Sequence, residues 1–217
     1  MLTLLALGVL LGMKHALEPD HLVAVSTMLH KERRLLPALK VGATWGLGHT
    51  TTLALGVLFL FLLKLPLQED KLIYFEAPVA VMLLLLGGKA IYDLFTAGKE
   101  LYFHSHDGLT HAHTFKLFDP EKRHFRSYFV GLVHGLAGSG AMMLFLAGEF
   151  PTPLEALLYT VLFGVGSMVG MALVSCGIAI PFVASRNKPM LYQGLTLVAG
   201  ATSLFLGGQI IWEIAHA

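Results

Sequence analysis

Apolar residues run through this chain in long stretches, with the polar positions gathered between them. A helix crossing the hydrocarbon core of a bilayer needs about 20 such residues. Six stretches reach that length: Leu2–Leu29, Ala38–Leu63, Leu72–Phe95, Ser127–Gly148, Leu154–Val183 and Met190–Ile214. The first is interrupted by the polar run Lys14–His21. The connections are short except Thr96–Arg126. The pattern predicts an all-α membrane protein of six transmembrane helices, one transmembrane domain over 1–217, with the first helix broken near Pro19. The apolar start has the length of a secretory leader, but no positive charge precedes it and Lys14 follows it, so we read it as part of a retained span.

Composition sharpens this reading. Of the 217 residues, 55% are hydrophobic and 13% charged, and the mean hydropathy is +0.70. Soluble domains carry about 25% charged residues, and one soluble core cannot hide this much apolar surface. A cytosolic globular enzyme, a nucleic-acid binder and a disordered chain are excluded. The single cysteine, Cys176, excludes a disulfide framework and a multi-cysteine metal site. Basic residues set the orientation. Eleven lie in the first, third and fifth connections, against Lys64 and Lys71 in the second and fourth. The former set is expected to face the cytoplasm of a multi-pass inner-membrane protein, with both termini outside.

The two halves of the chain resemble each other. Gly12-Met-Lys-His15 aligns with Gly131-Leu-Val-His134 at an offset of 119 residues. Gly46-Leu-Gly48-His49 aligns with Gly164-Val-Gly166-Ser167 at 118, and Leu86-Gly87-Gly88 with Leu206-Gly207-Gly208 at 120. Three spans per unit is odd, so the second unit must be inverted relative to the first, a transporter architecture. The expected organisation is repeat one over 1–97, a His-rich cytoplasmic loop over 98–126, and repeat two over 127–217.

Eleven histidines stand against fifteen Lys plus Arg, an unusual use of scarce polar positions. His15-Ala-Leu-Glu18-Pro19-Asp20-His21 falls mid-membrane, where unpaired polar groups cost several kcal/mol and are functional by default. On a straight helix Asp20 and His21 would point about 140° and 240° away from His15. Pro19 cannot donate to the carbonyl of His15, so a break there would let the flanking side chains converge. His49 and His134 lie within the second and fourth spans, among glycines spaced four apart that allow close helix approach. His15, Asp20, His21, His49 and His134 are therefore the candidate transport site. Imidazoles with one carboxylate and no thiolate suit Ni, Co, Zn or Cu better than Ca or Mg. Asp20 is open to two roles, ligand or orienter of a histidine, and so is Glu18. Lys14 is expected to snorkel away or to pair with Glu18. His104, His106, His111 and His113 form a candidate metal-gathering tract in the cytoplasmic loop.

At these residues the chain resembles the nickel/cobalt transporter family, including its short urease-accessory nickel permeases. The family signature is His, four residues, then Asp-His, matched by His15, Ala16–Pro19 and Asp20-His21. Leu47-Gly48-His49-Thr50 is similar to a second family motif. The resemblance implies a permease for Ni²⁺ or Co²⁺ with His15, Asp20, His21 and His49 in the selectivity site. Two departures stand out. Glu18-Pro19 replaces the Asp-Ala often seen within the signature, and Gly164-Val-Gly-Ser-Met lacks the acidic residues of longer members, which points to the compact six-span branch.

The expected activity is permeation of Ni²⁺, then Co²⁺, across the cytoplasmic membrane. The ion is cargo and no resident cofactor is called for. The bilayer and a cytosolic metal chaperone are the other expected partners; nucleic acid is not. The chain lacks a Walker-type phosphate loop. The membrane potential, worth about 2.3 kcal/mol per charge per 100 mV, favours uptake. Efflux is the alternative, since some relatives export metal and carry a His-rich loop. An intramembrane hydrolase is disfavoured, because His-Glu-x-x-His is absent and Ser139 in Gly138-Ser139-Gly140 is the repeat counterpart of Asp20. An anion exporter is disfavoured by Glu18 and Asp20, and a thiol carrier by the single cysteine.

Overall fold

The computed structural model describes residues 2–32, 34–63, 69–96, 101–106, 109–114, 123–135, 150, 152–185 and 187–217. Among the described residues, seven helices carry the fold: α1 Leu2–His15, α2 Pro19–Leu29, α3 Leu35–Leu63, α4 Ala77–Thr96, α5 Arg123–His134, α6 Pro153–Ala184 and α7 Pro189–His216. A 3₁₀ segment, Glu69–Glu76, leads into α4. Among the described residues, three stretches are long and apolar enough to cross a bilayer, at Ile73–Thr96, Pro153–Ala184 and Pro189–His216. The protein is thus a helical membrane protein. One departure from the all-α expectation is a hairpin in the long connection, β1 Leu101–His106 paired antiparallel with β2 Leu109–Thr114.

The expected break in the first apolar stretch lies between α1 and α2. A residue before proline is driven to extended backbone, and Glu18 adopts φ −65°, ψ 148°. Pro19 then opens α2 in the first helical position, where its missing N–H costs nothing. The carbonyl that Pro19 cannot satisfy is not left open: the Glu18 amide donates to the His15 carbonyl at 3.0 Å. The Leu17 amide donates to the Lys14 carbonyl at 2.9 Å, so α1 closes in a tightened last turn. Lys14 is exposed.

The helices α3 and α6 pack together at the centre; α1 lies on α6, α5 on α3, and α4 on α7. Backbones touch at Gly12, where an added Cβ would meet the Phe163 carbonyl oxygen and Ser167 amide of α6. Gly131 of α5 approaches the Trp45 carbonyl oxygen and His49 amide of α3 in the same way. Such contacts replace the hydrophobic drive that lipid does not supply between helices. Buried hydroxyls add cross-helix bonds: Thr52 Oγ1 donates to the Leu132 carbonyl and Ser203 Oγ to the Leu83 carbonyl, at 2.8 and 2.7 Å. The apolar core gathers Val25, Leu29, Val41, Trp45, Leu83 and Met171 around α2.

Candidate metal centre

Five side chains from four helices meet inside this core. His15 ends α1, Asp20 and His21 stand in the first turn of α2, His49 is midway along α3, and His134 ends α5. The four imidazoles are at most 4% exposed, whereas the side chain of Asp20 is 25% exposed. The break after His15 brings its ring to 4.3 Å from that of His21, centroid to centroid, which no straight helix would permit.

Two overlapping groups have ligand atoms within 4.8 Å of one another: His15, His21 and His49, and Asp20, His21 and His134. His21 belongs to both. Asp20 bridges two rings, with Oδ1 3.0 Å from His21 Nδ1 and Oδ2 2.7 Å from His134 Nε2. An ionised carboxylate only accepts, so those nitrogens carry the protons. That leaves His21 Nε2 and His134 Nδ1 as bare lone pairs, and both are buried without a hydrogen-bond partner. On the other side, His15 Nε2 is 3.0 Å from His49 Nε2, and His15 Nδ1 is 3.1 Å from Glu18 Oε1. If Glu18 accepts from Nδ1, His15 Nε2 is also a lone pair, the arrangement by which a carboxylate orients a metal-binding imidazole. His49 Nδ1 is a third buried nitrogen without a hydrogen-bond partner.

Buried polar atoms are otherwise nearly always paired. Imidazoles that keep buried nitrogens without partners, grouped with one carboxylate, form a donor set suited to a borderline dication. Helix ends reinforce it. α1 and α5 both terminate at their histidines, which turns the negative ends of two helix dipoles toward the cluster. Asp20 offsets the positive end of α2.

All five expected site residues are brought together. Trp45 is an addition: its ring centroid lies 5.3 Å from that of His21 and 5.5 Å from that of His134. The signal was present, since Trp45 precedes His49 by one helical turn on α3. In the long connection His104 pairs in register with His111, and Tyr102 with His113. Ser139 lies outside the described residues.

The chain is similar to several known proteins. A urease accessory protein, UreH of Bacillus sp. (strain TB-90), is 35% identical over 216 residues, 99% of this chain and 92% of that protein. The chain belongs to the nickel/cobalt transporter family. A Methanocaldococcus jannaschii relative named "Putative nickel/cobalt efflux system" is 27% identical over 95% of this chain and 90% of its own length. The Arabidopsis thaliana chloroplast protein FOR GROWTH AND FERTILITY 2 is 28% identical over 94% of this chain, which spans 55% of that protein. No protein-family model and no solved structure matches the chain.

Proposed function

We propose that this family member is a permease for Ni²⁺, with Co²⁺ next in preference, that carries the ion inward across the cytoplasmic membrane. The observation that carries this reading is the pair of overlapping ligand groups, His15, His21 and His49 and Asp20, His21 and His134, in which His21, His49 and His134 each keep a buried nitrogen without a hydrogen-bond partner. The ion enters over the partly exposed carboxylates of Glu18 and Asp20 and sheds water onto the imidazoles beneath. Asp20 supplies one negative charge toward the cost of that desolvation. Both termini face outward and the basic connections face the cytoplasm. There the hairpin histidines His104, His106, His111 and His113 collect the ion or hand it to a chaperone.

Six spans built as two inverted repeats, 1–97 and 127–217, complete the proposal, with the His-rich loop 98–126 between them. Paired contacts support it. Gly12 faces Phe163 and Ser167 while Gly131 faces Trp45 and His49, partners related by the sequence offsets of the two halves. Likewise Gly48 approaches the Tyr128 carbonyl and Gly166 the Val9 carbonyl, and Gly87 approaches Gly200 while Gly207 approaches Ala80. Rocking of one repeat against the other would expose the centre alternately to the two sides. Efflux is the second reading, favoured by the name of the archaeal relative.

Accumulation of ⁶³Ni by metal-limited cells separates the two directions. Uptake raises cell-associated label; efflux lowers it and improves metal tolerance. His15→Ala and Asp20→Asn are expected to abolish flux in either direction, and retained flux in both variants would reject the site.

A further inference from the structure

A cavity of about 590 Å³ opens where the carboxyl end of α2 meets the amino end of α5. Small-molecule pockets run from about 300 to 1,000 Å³. Four cationic side chains line it: Lys31 just after α2, Lys89 of α4, and Arg123 and Arg126 in the first turn of α5. Arg123 is engaged by Glu32, buried in the same wall, with Nη1 2.6 Å from Oε1. Lys31 and Lys89 share one carboxylate. Lys31 Nζ is 2.8 Å from Asp93 Oδ2 and Lys89 Nζ is 3.2 Å from Oδ1, with His30 Nε2 3.6 Å from Oδ2. Four cations therefore stand against two carboxylates among the described residues. The α5 helix starts at Arg123, so the positive end of its dipole adds to the same field. A surplus of this sign repels a metal dication and attracts an anion.

The rest of the wall selects the kind of anion. Met28, Leu86 and Val130 line the cavity and pack onto the protein core. Phe125 and Phe129, one turn apart on α5, are 71% and 57% exposed. Large exposed rings beside a charged pocket mark a face for membrane or partner, and in a helical membrane protein lipid is the neighbour at hand. A soluble phosphate uses the cations and leaves this apolar wall idle. A phospholipid uses both. Its phosphodiester takes the guanidinium and ammonium donors, and its acyl chain lies along Phe125 and Phe129. Arginine suits phosphate because its planar fork meets two oxygens at once. A zwitterionic headgroup brings its own cation into a cavity already rich in them, so charge selects a lipid with net negative charge. Basic pockets between transmembrane helices bind such headgroups.

We infer that this cavity seats the headgroup of one acidic phospholipid, with its acyl chain along the exposed face of α5. The lipid joins the end of α2 to the start of α5, and the opposite ends of these two helices carry His21 and His134. The site requires the membrane fold and not the identity of the cargo.

The test is native mass spectrometry of the full chain in detergent, titrated with dioleoylphosphatidylglycerol and, separately, with dioleoylphosphatidylcholine. One phosphatidylglycerol per chain is expected to be held about tenfold more tightly than phosphatidylcholine. Lys31→Gln and Arg126→Gln should each weaken it about fivefold, and the double variant about 25-fold, because each basic residue adds a similar increment. Arg126→Lys should keep most of the binding. Lys188→Gln serves as control, since Lys188 is exposed at the start of α7, outside the cavity lining. Equal retention of the two lipids, wild-type retention in the double variant, or an equal loss in Lys188→Gln overturns the site. Displacement of the lipid by equimolar inorganic phosphate assigns the cavity to a soluble anion and overturns the lipid. A dimer that excludes the lipid and dissociates in the double variant assigns it to a second copy of the chain, with the same consequence. Monodisperse elution qualifies each variant; should the double variant fail to fold, the single ones decide, and wild-type retention in both refutes the site.

Discussion

Replacing Gly12 by alanine tests the centre through packing alone. Gly12 lies about one turn before His15 on α1. A Cβ there would stand 2.0 Å from the Phe163 carbonyl oxygen and 2.7 Å from the Ser167 amide nitrogen. Both are backbone atoms of α6, so no side-chain rotation relieves the clash. Real Cβ atoms stay beyond 3.0 Å, so α1 must retreat from α6 by about 1 Å. His15 moves with it. Metal–ligand distances tolerate about ±0.2 Å, so the shift exceeds the tolerance about fivefold. A misplacement of about 1 Å costs on the order of 100-fold in function. The overpacking itself costs about 1–3 kcal/mol, so the protein still assembles. The assay is initial ⁶³Ni flux at matched membrane expression. Gly88→Ala serves as control, because no atom lies within 4 Å of its added Cβ. Gly12→Ala is expected at about 1% of wild-type flux and Gly88→Ala at wild-type flux, on the same scaling. Wild-type flux in Gly12→Ala would refute the link between this helix contact and the imidazole cluster.

Two further outcomes follow from single side chains. Glu18→Gln removes the carboxylate 3.1 Å from His15 Nδ1, and loss of such an orienting group weakens metal binding by about 10–100-fold; unchanged Co²⁺ affinity in dialysis would refute the orienting role. Glu32 is buried against Arg123, with 2.6 Å between Oε1 and Nη1. Burial pushes its carboxyl above the ordinary carboxylate value, while Arg123 and His124 pull it back. The folded chain therefore holds this proton to higher pH than the unfolded chain does. Its contribution to stability is complete below about pH 4 and is lost as pH rises through the folded value. In detergent, the Tm of wild type minus that of Glu32→Gln should be largest in acid and shrink toward neutral pH; a gap that widens with rising pH would contradict this.

Hydrophobic periodicity and punctuation carried much of this molecule. The apolar stretches located the long helices because lipid demands about 20 such residues per crossing. Pro19 located the break, since a residue before proline turns extended and a helix can restart on the proline itself. The signature His15, Asp20-His21 and the glycine-flanked His49 and His134 were legible as a centre, because histidines this deep need a reason. The strand pair Leu101–His106 and Leu109–Thr114 was not legible: Leu101, Tyr102 and Phe103 offer no clean alternation to set against a loop.

Only the tertiary structure decided which atoms meet. Helical period tells which residues share a face, but not how far one helix slides or turns against another. Asp20 is placed between His21 and His134, 114 positions away from the latter, by the contact of α5 with α3 and of α2 with its neighbours. The same geometry fixed the tautomers, because a proton goes to whichever nitrogen faces an acceptor. His30 and Asp93 have no shared motif and stand 63 positions apart, and the packing of α2 against α4 makes them neighbours.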